Sequence, residues 1–193
     1  MIRLLFLLMG VFFIITQYGC SPAGILAGGS GTTMVVAEGE RSLGSVIDDA
    51  TIKINIGSKF ISSNDGLFID VDTSVLEGRV LLTGLVDNQE LRIDAVRRVW
   101  EVVGVNEVVN EIQIGNRASL REYAQDVWIT TQVRGLAAKT LGLRSIAYNF
   151  ETIQGKVYIA GITTRPSQLD ELIEAMKTVK GVTEIINYVI VKK

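Results

Sequence analysis

The stretch GRVLLTG, from Gly78 to Gly84, decides the fold, because its pattern returns 77 residues later as GKVYIAG, from Gly155 to Gly161. In both stretches glycines enclose a basic residue and a mostly apolar run. The same offset, applied outward without a gap, pairs Asp49 with Asp126, Gly104 with Gly181 and Asn110 with Asn187. Chance would not keep glycines in register at separate turns. The chain therefore contains two copies of one unit, at about 48–114 and 125–191.

Each copy predicts the same order of elements, α-β-β-α-β. Apolar residues spaced four apart, Ile52, Ile56 and Phe60 in the first copy, indicate an opening helix. A strand follows, over Phe68–Thr73 or Ser145–Phe150, and then a tight turn and the second strand. A second helix and a last strand complete the unit. We therefore predict an α+β fold of two tandem domains, each a three-stranded mixed sheet packed against two helices.

Gly84 and Gly161 lie at the predicted junction between the second strand and the second helix of each copy. A glycine at such a place indicates positive φ or a close approach of backbone to backbone. We predict that both are structural glycines and that neither binds a ligand.

Composition excludes several classes of site. The 193 residues carry a net charge of −2 and include no His and one Cys. This composition excludes a His-based acid or base, a Cys-His dyad and a His/Cys zinc site, because the chain lacks the residues that each of them needs. The near-neutral balance gives no electrostatic case for nucleic-acid binding. No Ser-Lys pair or phosphate-cradling loop stands out, so we expect no enzyme activity, cofactor or metal.

The N-terminus has the order of features of an export signal. Arg3 precedes an apolar run of twelve residues, Leu4–Ile15, which is short for a membrane span. The run ends before Gly19 and Cys20, which resemble the lipobox of bacterial lipoproteins, although Gln17 replaces the usual aliphatic residue. We expect Cys20 to be lipidated, and the alternative is a chance thiol. By the usual sorting pattern, a serine after the cysteine resembles an outer-membrane destination.

The first helix of the second copy contains DVWITTQVRG, residues 126–135. A helical wheel places Ile129, Val133 and Leu136 on the core side and Trp128 beside them. Small, polar and basic residues share the surface of Trp128, namely Thr131, Gln132, Gly135 and Lys139. Such a surface suits a bilayer interface, where the indole enters the headgroup boundary and cations meet phosphate.

Two further cations, Arg121 and Arg134, complete the predicted phospholipid-binding set, Arg121 if the helix runs back that far. The alternative is that Trp128 packs against the first domain or the linker. Trp100, on the second helix of the first copy, is predicted to be half-buried or to lie at a seam between the domains.

Four stretches, RSLGSVIDD, RVLLTGLV, NEVVNEIQIG and WITTQVR, are similar to the BON-domain family, and two such domains behind a lipobox resemble the tandem-BON outer-membrane lipoproteins. The resemblance implies a signal peptide (1–19), a lipidated N-terminus and flexible linker (20–45), and domains at 46–115 and 120–193. It also implies a non-enzymatic protein that faces the periplasm of a Gram-negative bacterium.

In such proteins the first helix of the second domain would bind anionic phospholipid, phosphatidylglycerol or cardiolipin, and support envelope integrity. The alternative from another class is a periplasmic adaptor whose domains bind protein partners or other envelope components, with Trp128 as the central contact.

Overall fold

The computed structural model describes residues 43–63, 66–115 and 120–192. Its two three-stranded sheets have the orders β1-β2-β3 and β4-β5-β6, and each packs against two long helices. The predicted α+β fold of two tandem αββαβ domains is confirmed. The predicted signal peptide, Cys20 and most of the linker lie outside the described residues.

The first domain runs from the opening helix to the third strand. Its elements are α1 (Leu43–Ser62), a helical turn (Leu67–Asp70), β1 (Val71–Leu76), β2 (Arg79–Val86), α2 (Gln89–Trp100) and β3 (Glu107–Ile114). Strand β1 pairs antiparallel with β2, and β2 pairs parallel with β3.

The second domain repeats this topology. Its elements are α3 (Leu120–Leu141), a 3-10 turn (Gly142–Ala147), β4 (Tyr148–Ile153), β5 (Lys156–Thr163), α4 (Pro166–Met176) and β6 (Glu184–Val191). Strands β4 and β5 are antiparallel, and β5 and β6 are parallel. The registers are also repeated, since Val71 pairs with Gly84 and Tyr148 with Gly161.

The first strand of each domain begins three residues later than predicted, at Val71 and Tyr148. The preceding residues instead form helical turns, and in the first domain the amides of Ile69 and Asp70 both donate to the carbonyl of Gly66. Apolar side chains such as Ile69 remain exposed there. The prediction treated them as strand residues because of their β propensity, which local hydrogen bonding overrides.

An aspartate of each first helix holds the β-hairpin beside it. The hairpin turns have positive φ at both central residues, 54° and 78° in the first domain and 51° and 77° in the second. The Asp49 carboxylate accepts from the amides of Glu77 (2.8 Å) and Gly78 (2.9 Å). In the second domain Asp126 accepts from Gln154 (2.8 Å) and Gly155 (2.9 Å). We call this pair of bonds the aspartate latch.

Gly84 and Gly161 lie inside β2 and β5, where they pair with the first residues of β1 and β4, and both lie against backbone. A Cβ on Gly84, whose φ is 148°, would lie 2.1 Å from the carbonyl oxygen of Asp70. A Cβ on Gly161 would lie 2.8 Å from that of Ala147. The segment entering the first strand of each domain crosses these positions too closely for a side chain.

Each domain has one hydrophobic core between its helices and its sheet, and a third core lies between the two sheets. The third core contains side chains from the helix-distal faces of both sheets, Leu76, Leu81, Ala160 and Ile162, with Val109, Tyr188 and Ile190 packed against them. The described part of the chain is therefore a four-layer stack of helices, sheet, sheet and helices.

Polar contacts surround this sheet–sheet core. The hydroxyl of Tyr188 donates to the carboxylate of Glu111, and the Gln113 amide donates to the Tyr158 hydroxyl (2.9 Å). The Arg79 guanidinium lies 5.9 Å from the centre of the Tyr188 ring. Burial, together with the Glu111 carboxylate, raises the pKa of Tyr188 to about 12. The Tyr188 phenol therefore stays neutral and can donate a hydrogen bond across the interface between the sheets.

Candidate functional site

Helix α3 has one face in the core and one in solvent. Ile129, Val133 and Ala137 are fully buried against the sheet, whereas Leu136, predicted for this row, is only partly buried. The Thr130 hydroxyl also points inward and donates to Thr152 (2.7 Å). This side of the helix is fixed, so the opposite side is directed outward.

Trp128 is on that outward side and is 47% exposed. Five of the predicted residues lie within about 60° of it around the helix axis, namely Arg121, Thr131, Gln132, Gly135 and Lys139, and all of them are exposed. Helix α3 begins at Leu120, so Arg121 does belong to it, about two turns before Trp128. We call these six residues the Trp128 strip. The structure thus brings together the predicted residues, with one exception.

The exception is Arg134, which lies about 120° from Trp128 around the helix. Its guanidinium donates to the backbone carbonyl of Phe150 (3.0 Å) on the outer edge of β4. It lines a cleft with Tyr123 and Val127 of the same helix. Arg134 is therefore separated from the Trp128 strip, although it directly precedes Gly135 of the strip in the sequence, because consecutive residues of a helix point in directions about 100° apart.

Charge differs between the strip and the cleft. The strip contains two cations, Arg121 and Lys139, and the two carboxylates of α3, Glu122 and Asp126, lie roughly 100° or more away from Trp128. Those two carboxylates line the cleft instead, together with Glu151, against the single cation Arg134. The strip is therefore the part of α3 that suits an anionic surface, and the cleft is acidic.

The structure distinguishes between the two alternatives for Trp100. Its side chain is 52% exposed on the outward side of α2 and is thus half-buried, and the seam between the domains is made by the sheets instead. The outward side of α1 also carries exposed isoleucines that the sequence reasoning missed, Ile47, Ile54 and Ile61. Their spacing of seven residues was the signal that could have identified them.

Within the described ranges, 43–63, 66–115 and 120–192, no group of three or more acidic, His or Cys side chains is placed to hold a metal ion. Among the helices of the same residues, none is long and apolar enough to span a bilayer.

Similarity to known proteins covers most of the described residues. A family model described as BON domain matches residues 48–116 and 125–193. The "Uncharacterized protein in gshII 5'region" of Anaplasma centrale is 39% identical over 147 residues, which cover 76% of this chain and 96% of the relative. "Outer membrane lipoprotein DolP" of Haemophilus influenzae is 28% identical over 170 residues, covering 87% and 86%. The "21 kDa hemolysin" of Actinobacillus pleuropneumoniae is 27% identical over 154 residues, covering 77% and 78%.

Proposed function

This chain belongs to the BON-domain family, and from that premise we propose that it is a non-enzymatic envelope lipoprotein that binds anionic phospholipid through the Trp128 strip of α3. The observation that carries the proposal is a half-exposed indole flanked by two cations on a strip without a carboxylate. An interfacial indole places its ring among acyl chains while its N–H remains near the headgroups.

The binding free energy expected for the strip on a bilayer is that of a weak, reversible contact. Burying the exposed half of an indole, roughly 100 Å², contributes about 2.5 kcal/mol at the usual area coefficient. Arg121 and Lys139 add about 1 kcal/mol each on an anionic leaflet. Before ordering costs, this total corresponds to a dissociation constant on the order of 1 mM. The strip alone would therefore bind lipid transiently, and a tether would make the contact persistent.

Lipidation of Cys20 supplies that tether in this proposal. Residues 21–42 separate Cys20 from the start of α1 at Leu43, and a chain of that length keeps the domains close to the bilayer that holds the acyl groups. The relative named an outer membrane lipoprotein supports the periplasmic face of the outer membrane as the location. There the protein would support envelope integrity, with phosphatidylglycerol or cardiolipin as ligand.

Vesicle flotation tests the proposal with a Cys20→Ser chain, which has no acyl anchor. Binding to phosphatidylglycerol vesicles should exceed binding to phosphatidylcholine vesicles, and Trp128→Glu should abolish it. Lys139→Gln should weaken it about fivefold, as expected for one lost cation on an anionic leaflet.

Trp100→Glu is the matched control, because it removes an indole of similar exposure (52%) and adds the same charge. This control should bind vesicles as the parent does. If both tryptophan variants lose binding equally, or if Trp128→Glu retains it, the assignment to α3 fails. Binding that is indifferent to lipid charge would favour the second candidate, an envelope adaptor for protein partners, which the exposed apolar residues of α1 and α2 support.

A further inference from the structure

Strand β4 is an edge strand, and a groove follows its outer side. In the sheet order β4-β5-β6 the strand pairs with β5 alone. The acidic cleft beside α3, of about 250 Å³, adjoins a second cavity of about 340 Å³ along this edge. Together they extend from Tyr148 to Ile153 and share the side chain of Arg134. We call the two cavities the β4 groove.

The backbone of β4 offers hydrogen-bonding groups to this groove. The hairpin turn has two residues, so Ile153 and Lys156 bond each other, and the backbone groups of Thr152 and Phe150 point away from β5. The bond from Arg134 to the Phe150 carbonyl (3.0 Å) agrees with that direction. Three further groups, the Phe150 amide and the Thr152 amide and carbonyl, have no hydrogen-bond partner among the described residues. Such a row is complementary to the backbone of another extended chain.

Arg134 covers one acceptor of the edge without closing the groove. Its side chain is exposed, so its bond to the Phe150 carbonyl can be exchanged for one from an incoming amide. A cation on an edge strand also disfavours pairing with a second copy of the chain, because two arginines would then lie close together. The edge therefore suits the backbone of a different protein.

The side chains around the groove differ on the two sides of the sheet. Thr152 faces α3, because its hydroxyl accepts from Thr130 (2.7 Å), so the next residue, Glu151, faces the opposite side. The α3 side carries the half-exposed Tyr123 and Val127. A strand laid beside β4 alternates in the same way. One set of its side chains would therefore contact Tyr123 and Val127, and the other set would lie beside Glu151.

Charge in the groove favours basic side chains. The carboxylates of Glu122, Asp126 and Glu151 line it against the one guanidinium of Arg134, and the second cavity adds no other charged residue. A Lys or Arg side chain is attracted by this excess of carboxylates, whereas a phosphate is repelled. The charge is opposite in sign to that of the Trp128 strip, so the groove suits a basic segment and not a second anionic headgroup.

The first domain does not repeat this arrangement. At the positions 77 residues earlier, Ser74 replaces Glu151 and Gly57 replaces Arg134. Strand β1 is buried at five of its six residues and β4 at three, which leaves Glu151 and Ile153 partly accessible. The accessible acidic edge therefore belongs to the second domain and is not a requirement of the repeated fold.

From the open backbone groups, the alternation of side chains and the charge, we propose that the β4 groove binds an extended segment of a partner protein. This segment adds to β4 as a fourth strand and carries apolar and basic residues in alternation. The inference does not depend on lipid binding by α3.

A synthetic peptide, acetyl-Lys-Val-Lys-Val-Lys-Val-Lys-amide, tests the groove on the Cys20→Ser chain. Nuclear magnetic resonance should show that the amides of Phe150 and Thr152 exchange with solvent at least about tenfold more slowly when the peptide is bound. The same peptide with Glu in place of Lys should not bind.

Backbone pairing is tested by methylating the peptide amides. A strand that pairs along one side uses the amides of alternate residues only. N-methylation of either the valines or the lysines should therefore abolish binding, and N-methylation of the other set should be tolerated.

Variants of the protein test the role of charge. Glu151→Gln should weaken peptide binding about twofold to fivefold, as expected for one lost ion pair at a surface. Glu171→Gln, which removes an exposed carboxylate of α4, is the matched control and should bind as the parent does. Arg134→Ala should bind at least as tightly as the parent, because it frees the Phe150 carbonyl.

The proposal is overturned if the Phe150 and Thr152 amides are not protected, or if both N-methylated peptides bind alike. Loss of binding in Arg134→Ala, or equal loss in Glu151→Gln and Glu171→Gln, also contradicts it. Trp128→Glu should lose vesicle binding and keep peptide binding, so a failure of either proposal is recognised separately.

Discussion

Removal of the aspartate latch in the second domain should loosen α3, the helix that carries Trp128, from its hairpin. In Asp126→Ala the amides of Gln154 and Gly155 lose their common acceptor. Gln154 is exposed and its amide can turn to water, but Gly155 is buried and its amide is left without a partner. The lost carboxylate is therefore replaced at one amide only.

The cost follows from these two amides. A hydrogen bond to a charged group contributes about 1.5–3 kcal/mol, less where water replaces it, so Asp126→Ala should cost about 2–4 kcal/mol of unfolding free energy. The same change in the first domain removes a carboxylate that is only 5% exposed. Asp49→Ala should therefore cost more, about 3–5 kcal/mol.

Urea unfolding followed by circular dichroism measures both losses as a lower midpoint at an unchanged slope. Faster amide exchange at Gln154 and Gly155 would localise the effect of Asp126→Ala to the hairpin. Asp170→Ala, an exposed carboxylate of α4, is the control and should change stability by less than about 0.5 kcal/mol. A cost of Asp126→Ala as small as this control, or an Asp49→Ala cost below that of Asp126→Ala, would refute the reasoning.

Two further changes test the glycines and the domain interface. Gly135→Ala should stabilise the chain by up to about 1 kcal/mol, because a Cβ there meets nothing within 4 Å, whereas Gly84→Ala should cost more than about 3 kcal/mol, since its Cβ would collide with backbone; urea midpoints measure both. The raised pKa of Tyr188 means that the folded state holds the phenol proton more tightly than the unfolded state, so stability should fall as pH rises from about 10 towards 12. Thermal melts across this range should show a shallower fall for Tyr188→Phe than for the parent.

The architecture could be predicted because it follows from patterns that are visible along the sequence. Glycines in register at an offset of 77 residues gave the repeat, and helical spacing gave the order of elements, so the tandem-BON resemblance and the fold are confirmed. The starts of β1 and β4 were missed because apolar, strand-forming residues such as Ile69 belong to helical turns closed by local hydrogen bonds. Periodicity does not report such bonds.

The surfaces were harder to predict, because they depend on which elements meet across the chain. Arg134 is close to Trp128 in sequence, but the carbonyl of Phe150 draws it to another side of α3. Trp100 was expected to be half-buried or to lie at a seam; it is half-buried, and the sheets form the seam. The corresponding sequence signal is the nearly continuous apolar run of β2 (RVLLTGLV) and β5 (KVYIAGIT), since such a run is typical of a strand covered on both faces, and both strands are buried on consecutive residues. The lipid-binding and lipidation assignments remain predictions.

The helix layers of the two domains lie on opposite sides of the molecule, because the two sheets pack against each other between them. With layers roughly 10 Å thick, α1 stands about 40 Å from the outer surface of α3. A molecule resting on headgroups through α3 would hold its first-domain isoleucines well above the lipid, as a second tier. Whatever docks there would meet the protein at a fixed standoff from the bilayer, without having to touch lipid itself.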